Sequence, residues 1–128
     1  MKSLKVGFFA LALAVGLIAV QPAFAHHSGA GFSNDVKVIT GTVKAFQFTN
    51  PHSWIQVNVV DEAGKTTEWS LEWGSPNQLG RDGYRPSTFP LGTKVQFKLH
   101  PMSNGSPVGG FMAAKFEDGK VIGKWEGD

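Results

Sequence analysis

The run WIQVNVVDEAGKTTEWSLEWGSPNQ, residues 54–78, decides the fold. Ile55, Val57 and Val59 alternate with Gln56 and Asn58, the two-residue period of a half-buried strand. Asp61-Glu62-Ala63-Gly64 reads as a turn. The period then resumes, with Trp69, Leu71 and Trp73 on one face and Glu68, Ser70 and Glu72 on the other. After Trp73 it stops. Ser75 stands at an N-cap, Pro76 at the first helical position and Gln78 three residues after the cap, which is how a short helix begins. Gly80 or Gly83 ends that helix within one or two turns.

Working outward, Val36 to Phe48 is β-rich with Gly41 at its middle. The inward set changes across Gly41, so a bulge or bend is expected there. Asn50-Pro51 ends this strand, because proline cannot join a ladder. On the other side, Arg81 to Pro90 reads as loop. Val95, Phe97 and Leu99 alternate with Lys94, Gln96, Lys98 and His100. Asn104-Gly105 signals a turn, Met112, Ala114 and Phe116 form the next inward set, and Asp118-Gly119 signals a two-residue hairpin. Val121 to Trp125 is a candidate last strand. Three strands, a helix and two or three more strands is the order of a small OB-like Greek-key barrel, all-β, of five or six strands with its short helix between strands 3 and 4. A β-sandwich would ordinarily have seven strands and a lipocalin-like barrel eight. The expected inward set is Ile55, Val57, Val59, Trp69, Leu71, Val95, Phe97, Leu99 and Met112.

The first 25 residues read differently. Lys2 and Lys5 precede an apolar run from Val6 to Val20, and Ala23 and Ala25 occupy the small-residue positions of an A-x-A site. That is the pattern of a cleaved secretory signal peptide; the run is short of the ~20 residues a membrane span needs. Residues 26–34 then form a flexible lead-in, with Phe32 as the residue to pin it, and 35–128 a single domain. Removing residues 1–25 from the 128 leaves 103, enough for one small domain. Lys2 and Lys5 leave with the leader, so 12 basic residues become 10 against 10 acidic ones. A formally neutral chain gives no support for nucleic-acid binding, and no membrane contact is expected after cleavage. Without cysteine there is no disulfide, thiolate site or catalytic thiol. The address is periplasmic.

Several pieces resemble an uncharacterised bacterial family of small secreted proteins, known as a domain of unknown function. They are His26-His27-Ser28, Thr40-Gly41-Thr42-Val43, Asn50-Pro51-His52, Trp69 with Glu72, Ser75-Pro76-Asn77, Leu79 to Tyr84, Gly92-Thr93-Lys94-Val95 and Asp118-Gly119-Lys120. They run in order over nearly the whole mature chain. Phe48 and Tyr84 stand where that family usually has Trp, and Ser28-Gly29-Ala30-Gly31 is richer in glycine than its usual start. The resemblance implies a small periplasmic β-barrel and carries over no activity.

Chemistry has few places to reside. No HExxH, Gly-x-Ser-x-Gly, Walker or dinucleotide pattern is present. Cleavage after Ala25 makes His26 the first residue, and its amine and ring nitrogen then chelate one ion. A third nitrogen from His52, held after Pro51 at a strand mouth, completes a set that suits copper, with zinc as the alternative. His27 is a weaker ligand, since neighbours in an extended segment point opposite ways. Against this stand a solvated terminus for His26 and His27, a turn-stabilising imidazole for His52, and a solvated polar-face position for His100. Glu68 and Glu72 are ~13 Å apart along a strand, too far for the usual glycosidase pair; Glu72 has Arg81 or Arg85 as candidate ion-pair partners. Trp54 and the other tryptophans offer a sugar-stacking platform, although core packing accounts better for Trp69 and Trp73. Two function classes follow: a non-catalytic binding module for a metal, a small or extended ligand or an envelope protein, and a metal-dependent enzyme using the same histidines. The first is favoured because no base, nucleophile or acid set accompanies the histidines.

The leader reading is checked by mass spectrometry of the exported protein. His26 is the expected first residue; intact Met1 in the membrane fraction would contradict both the cleavage and the N-terminal chelate.

Overall fold

The computed structural model describes residues 31–126. The leader, His26 and His27 lie outside the described residues. Six strands follow in order: β1 (Lys37–Gln47), β2 (Trp54–Val60), β3 (Thr66–Glu72), β4 (Lys94–Pro101), β5 (Val108–Phe116) and β6 (Val121–Gly123). Helix α1 (Pro76–Arg81) and a 3-10 turn (Pro86–Thr88) lie between β3 and β4. The sheet order is β3-β2-β1-β4-β5-β6, and a further β3–β5 pairing closes its first five strands into a ring. That pairing is parallel, with Ser70, Leu71 and Glu72 against Val108, Gly109 and Gly110; the other pairings are antiparallel. The result is a closed five-stranded OB-like barrel with β6 added along β5, as the element order predicts.

The local signals account for the connections. Asp61 Oδ1 accepts from the Lys65 N–H at 2.8 Å, and Gly64 takes the left-handed conformation between them, which fixes the β2–β3 register. Ser75 Oγ accepts from the Gln78 N–H at 3.3 Å to start α1. The helix ends on a Schellman motif: Gly83 is left-handed, its N–H donates to the Gly80 carbonyl, and the Tyr84 N–H donates to the Leu79 carbonyl.

The core is made of Ile39, Val43, Ile55, Val57, Leu71, Phe89, Val95, Phe97, Leu99, Ala114 and Ile122. Six of the residues expected inward, Ile55, Val57, Leu71, Val95, Phe97 and Leu99, are buried in it, while Val59 and Trp69 pack against it from partly exposed positions. Met112 does not belong to it. The β4–β5 register shifts at Lys98/Leu99, so Lys98 opposes Ala113 and Leu99 opposes Phe111. Met112 is the extra residue of that bulge, and Phe111, Ala114 and Phe116 take the inward places. Counting back by twos from Ala114 crosses the bulge and lands on the wrong residue.

Two further expectations shift for similar reasons. The bulge of β1 lies between Val43 and Ala45, not at Gly41. Ile39, Gly41 and Val43 share the buried face, and Gly41 is glycine because a Cβ would stand 2.5 Å from the Asn58 carbonyl oxygen and 2.6 Å from Val57 Cγ1. The β5–β6 hairpin has three loop residues instead of two. The Phe116 N–H donates to the Lys120 carbonyl at 2.9 Å and the Gly119 N–H to the Phe116 carbonyl at 3.0 Å. Gly119 is left-handed and Asp118 is not, whereas a two-residue type I′ turn needs both.

Phe89, in the stretch read as loop, is buried at the helix end of the barrel. Its ring lies 5.3 Å from Phe46, 5.9 Å from Trp73, 5.6 Å from Phe97, 6.0 Å from Phe111 and 5.7 Å from Phe116. It plugs the open end of the barrel, so the connection after α1 contributes to the core.

Phe97→Ala is expected to cost about 3–5 kcal/mol in urea unfolding, and Gly41→Ala about 1–3 kcal/mol through overpacking. A loss at Phe97 under about 1 kcal/mol would mean that the strand faces are reversed.

Candidate functional site

The histidine singled out by the Asn-Pro-His motif sits where β1 hands over to β2. The peptide between Asn50 and Pro51 is cis. Beyond it the β2–β3 pairing continues past both strand ends: the Ser53 N–H donates to the Gly74 carbonyl and the Trp73 N–H to the Ser53 carbonyl, each at 2.9 Å. Ser53 and Ile55 are fully buried. His52 and Trp54 therefore fall on the outer face of the pleat. Trp54 pairs with Glu72 across the ladder, which brings the Glu72 carboxylate up beside the His52 ring.

His52 Nδ1 lies 2.9 Å from Glu72 Oε1, with the side chains 33% and 13% exposed. A carboxylate only accepts, so Nδ1 carries the proton it donates and Nε2 is the free nitrogen of the neutral ring. This corrects the expected partner of Glu72. Arg85 instead donates from Nη1 to the carbonyls of Gly80 and Tyr84, at 2.9 and 2.7 Å. Glu68, the other carboxylate of that face, holds the Lys44 ammonium. The two glutamates thus serve different partners.

The outer face carries a row that links this corner to the start of the described chain. Gln47, Trp54, Glu72, Gly110 and His100 are successive ladder neighbours on β1, β2, β3, β5 and β4. The Phe32 ring lies over Gly110, where a Cβ would stand 3.2 Å from it. Phe32 itself forms a bridge with Met102, flanked by the bonds Ser33 N–H to Pro101 carbonyl and Ser103 N–H to Gly31 carbonyl, both 2.8 Å. His100, read as a solvated residue, is a tether: its Nδ1 donates to the Asp35 carbonyl at 2.8 Å. Gly31 to Asp35 is thereby laid along the end of β4, with the Phe32 ring over Gly110.

Of the three residues expected as ligands, His52 is placed in this corner and His26 and His27 lie outside the described residues. His100 is two strand spacings from Glu72, about 10 Å, and serves its own bond. Among the described residues no three His, Asp or Glu side chains come together as a ligand set. The His52–Glu72 pair escaped the sequence reading although a signal existed: centring the hairpin on the Asp61–Lys65 turn sets Trp54 opposite Glu72.

A family model matches residues 14–111, more than half of the chain. The chain belongs to DUF6152, a family of unknown function. The DUF6152 match takes in His26, His27, His52, Glu72 and the Gly109–Gly110 closure, and it stops before β6. No curated protein and no solved structure matches the chain.

His52→Ala leaves the mostly buried Glu72 carboxylate without its donor and is expected to cost about 1–3 kcal/mol in urea unfolding. Glu72→Gln, whose amide oxygen still accepts from Nδ1, is expected to cost less. Wild-type stability in His52→Ala would mean that the pair forms no net interaction.

Proposed function

We propose that this protein is a periplasmic, non-catalytic binding module that holds a divalent metal ion, copper in preference to zinc, at its mature N-terminus. The His26 amine and ring and His52 Nε2 supply three nitrogens, with His27 as an auxiliary donor. The observation that carries this reading is the carboxylate on His52 Nδ1. Histidines that ligate metals almost always donate their other ring nitrogen to such a partner, which fixes the tautomer and raises the basicity of the ligating nitrogen. Chain length supports it too. Phe32 sits over Gly110, one strand spacing of about 4.8 Å from Glu72. The five residues from Gly31 back to His26 span up to about 17 Å when extended, a reach of several strand spacings. Copper leads the divalent first-row ions at nitrogen sites of this kind. The periplasmic address rests on the leader pattern.

The test is calorimetric titration of Cu(II) into the mature protein and three variants. Nα-acetylation of His26 removes the amine donor and is expected to abolish tight binding, as is His52→Ala. Glu72→Gln is expected to weaken binding about 10–100-fold. Affinity should fall in acid, because binding displaces protons from the amine and imidazoles. Equal affinity in all four proteins would overturn the proposal, and turnover of an oxidase, peroxidase or hydrolase substrate by the loaded protein would replace the module with an enzyme.

A further inference from the structure

The outer face of β1, β4 and β5 carries charge that neither the core nor the metal reading uses. Lys94 and Gln96 alternate with the buried Val95 and Phe97, so both point outward. Thr40 faces Gln96 across the β1–β4 ladder, and Lys115 faces it across the β4–β5 ladder. One step beyond the Val95–Phe116 pair, the same register sets Glu117 opposite Lys94. These five side chains line a cleft of about 270 Å³, close to the lower end of ordinary small-molecule sites, ~300 Å³.

The charges of the cleft are not spent on one another. Opposite charges that face each other on neighbouring strands attract, yet among the described residues neither Lys94 nor Lys115 forms an ion pair. The Lys115 ammonium rests 5.9 Å from the centre of the Trp125 ring, a weak contact at an exposed site. Lys94 has no cation–π contact among the described residues. The surrounding charge reinforces them. Residues 94–126 contain five lysines (Lys94, Lys98, Lys115, Lys120 and Lys124) against Glu117, Asp118 and Glu126. Residues 54–72 contain Asp61, Glu62, Glu68 and Glu72 against Lys65 alone. A formally balanced mature chain is thus polarised, and the cleft lies at its positive side.

Two conditions define the ligand. Lys94 and Lys115 are diagonal neighbours on adjacent strands, with Cβ atoms roughly 7–8 Å apart, so their long stems can converge on one doubly charged group. A phosphate monoester carries about −1.5 to −2 at neutral pH, and lysine binds phosphate as a point charge. Glu117 sets the second condition. A carboxylate only accepts, so the part of the ligand that meets it must donate, while the Thr40 hydroxyl and Gln96 amide serve either role. Bare phosphate meets the first condition alone. A nucleic acid would set further phosphates against Glu117.

We propose that this cleft binds a small hydroxylated phosphate ester of the glycerol phosphate class, with the phosphate between Lys94 and Lys115 and a hydroxyl donating to Glu117. It shares no residue with the proposed metal site.

The test uses the mature, metal-free protein, with calorimetry and ¹⁵N-resolved NMR. Glycerol 3-phosphate, inorganic phosphate and glycerol are the probes. Saturable binding of the ester is expected, at least about threefold tighter than phosphate, with no binding of glycerol. Amide shifts should change at Thr40, at residues 94–96 and 115–117, and at the Gln96 side chain. Lys94→Gln and Lys115→Gln are each expected to weaken binding about tenfold. Glu117→Ala is expected to tighten inorganic phosphate and erase the preference for the ester. Lys65→Gln removes the same charge from the β2–β3 turn and is expected to leave affinity within about twofold. The NMR spectrum of each variant checks its fold. Vesicles of phosphatidylglycerol, against phosphatidylcholine, distinguish a lipid headgroup from the free ester: selective co-sedimentation assigns the site to the headgroup, and ester binding without it assigns the site to the soluble ligand. Absence of ester binding at millimolar concentration, shift changes centred elsewhere, equal losses in Lys65→Gln and Lys94→Gln, or phosphate bound as tightly as the ester would each overturn the proposal.

Discussion

The barrel closes where two glycines of β5, Gly109 and Gly110, lie against Leu71 and Glu72 of β3. A side chain at Gly109 would collide with Leu99 and with the His100 carbonyl. One at Gly110 would enter the space of the Phe32 ring. The glycines therefore let β4 and the Phe32 ring approach β5 at the two residues where β3 closes the barrel, and much follows from that closure. Without the β3–β5 contact the sheet would be open, with β3 as an unpaired edge. With it, Glu72 stands inside a continuous outer row, and the strap that begins at Gly31 has a seat beside that row.

The other end of the row is set by register. The Asp61–Lys65 turn fixes which residues of β2 and β3 face one another, and the bonds between Ser53, Trp73 and Gly74 extend that match beyond the strands. His52 meets Glu72 because of this count. Trp54 is turned outward by the same pleat, since the fully buried Ser53 and Ile55 on either side point inward.

Much of the architecture was legible in the sequence. The alternation of Ile55, Val57, Leu71, Val95, Phe97 and Leu99 and the caps around Ser75 and Gly83 report local preferences, which hold in the fold. What was not legible depends on contacts between distant segments. Met112 loses its inward place to a bulge created by the pairing of β4 with β5, and Gly41 keeps the inward face because β2 presses on it. Phe89 belongs to a stretch without period, and only the assembled barrel shows the aromatic end it fills. At the candidate site the motif pointed to His52, but its carboxylate partner is twenty residues away, and Arg81 and Arg85 were nearer in sequence. His100 looked solvated because its bond is to a backbone carbonyl, that of Asp35, which no side-chain pattern announces.

The central functional claim is that the N-terminal residue and His52 meet on one ion. Pulsed electron paramagnetic resonance of the mature protein with one equivalent of Cu(II) tests it most directly, because each coordinated imidazole couples to the copper through its remote ring nitrogen. The account predicts couplings from two imidazoles, His26 and His52, and from one in His52→Ala. The same couplings with and without His52 would contradict it.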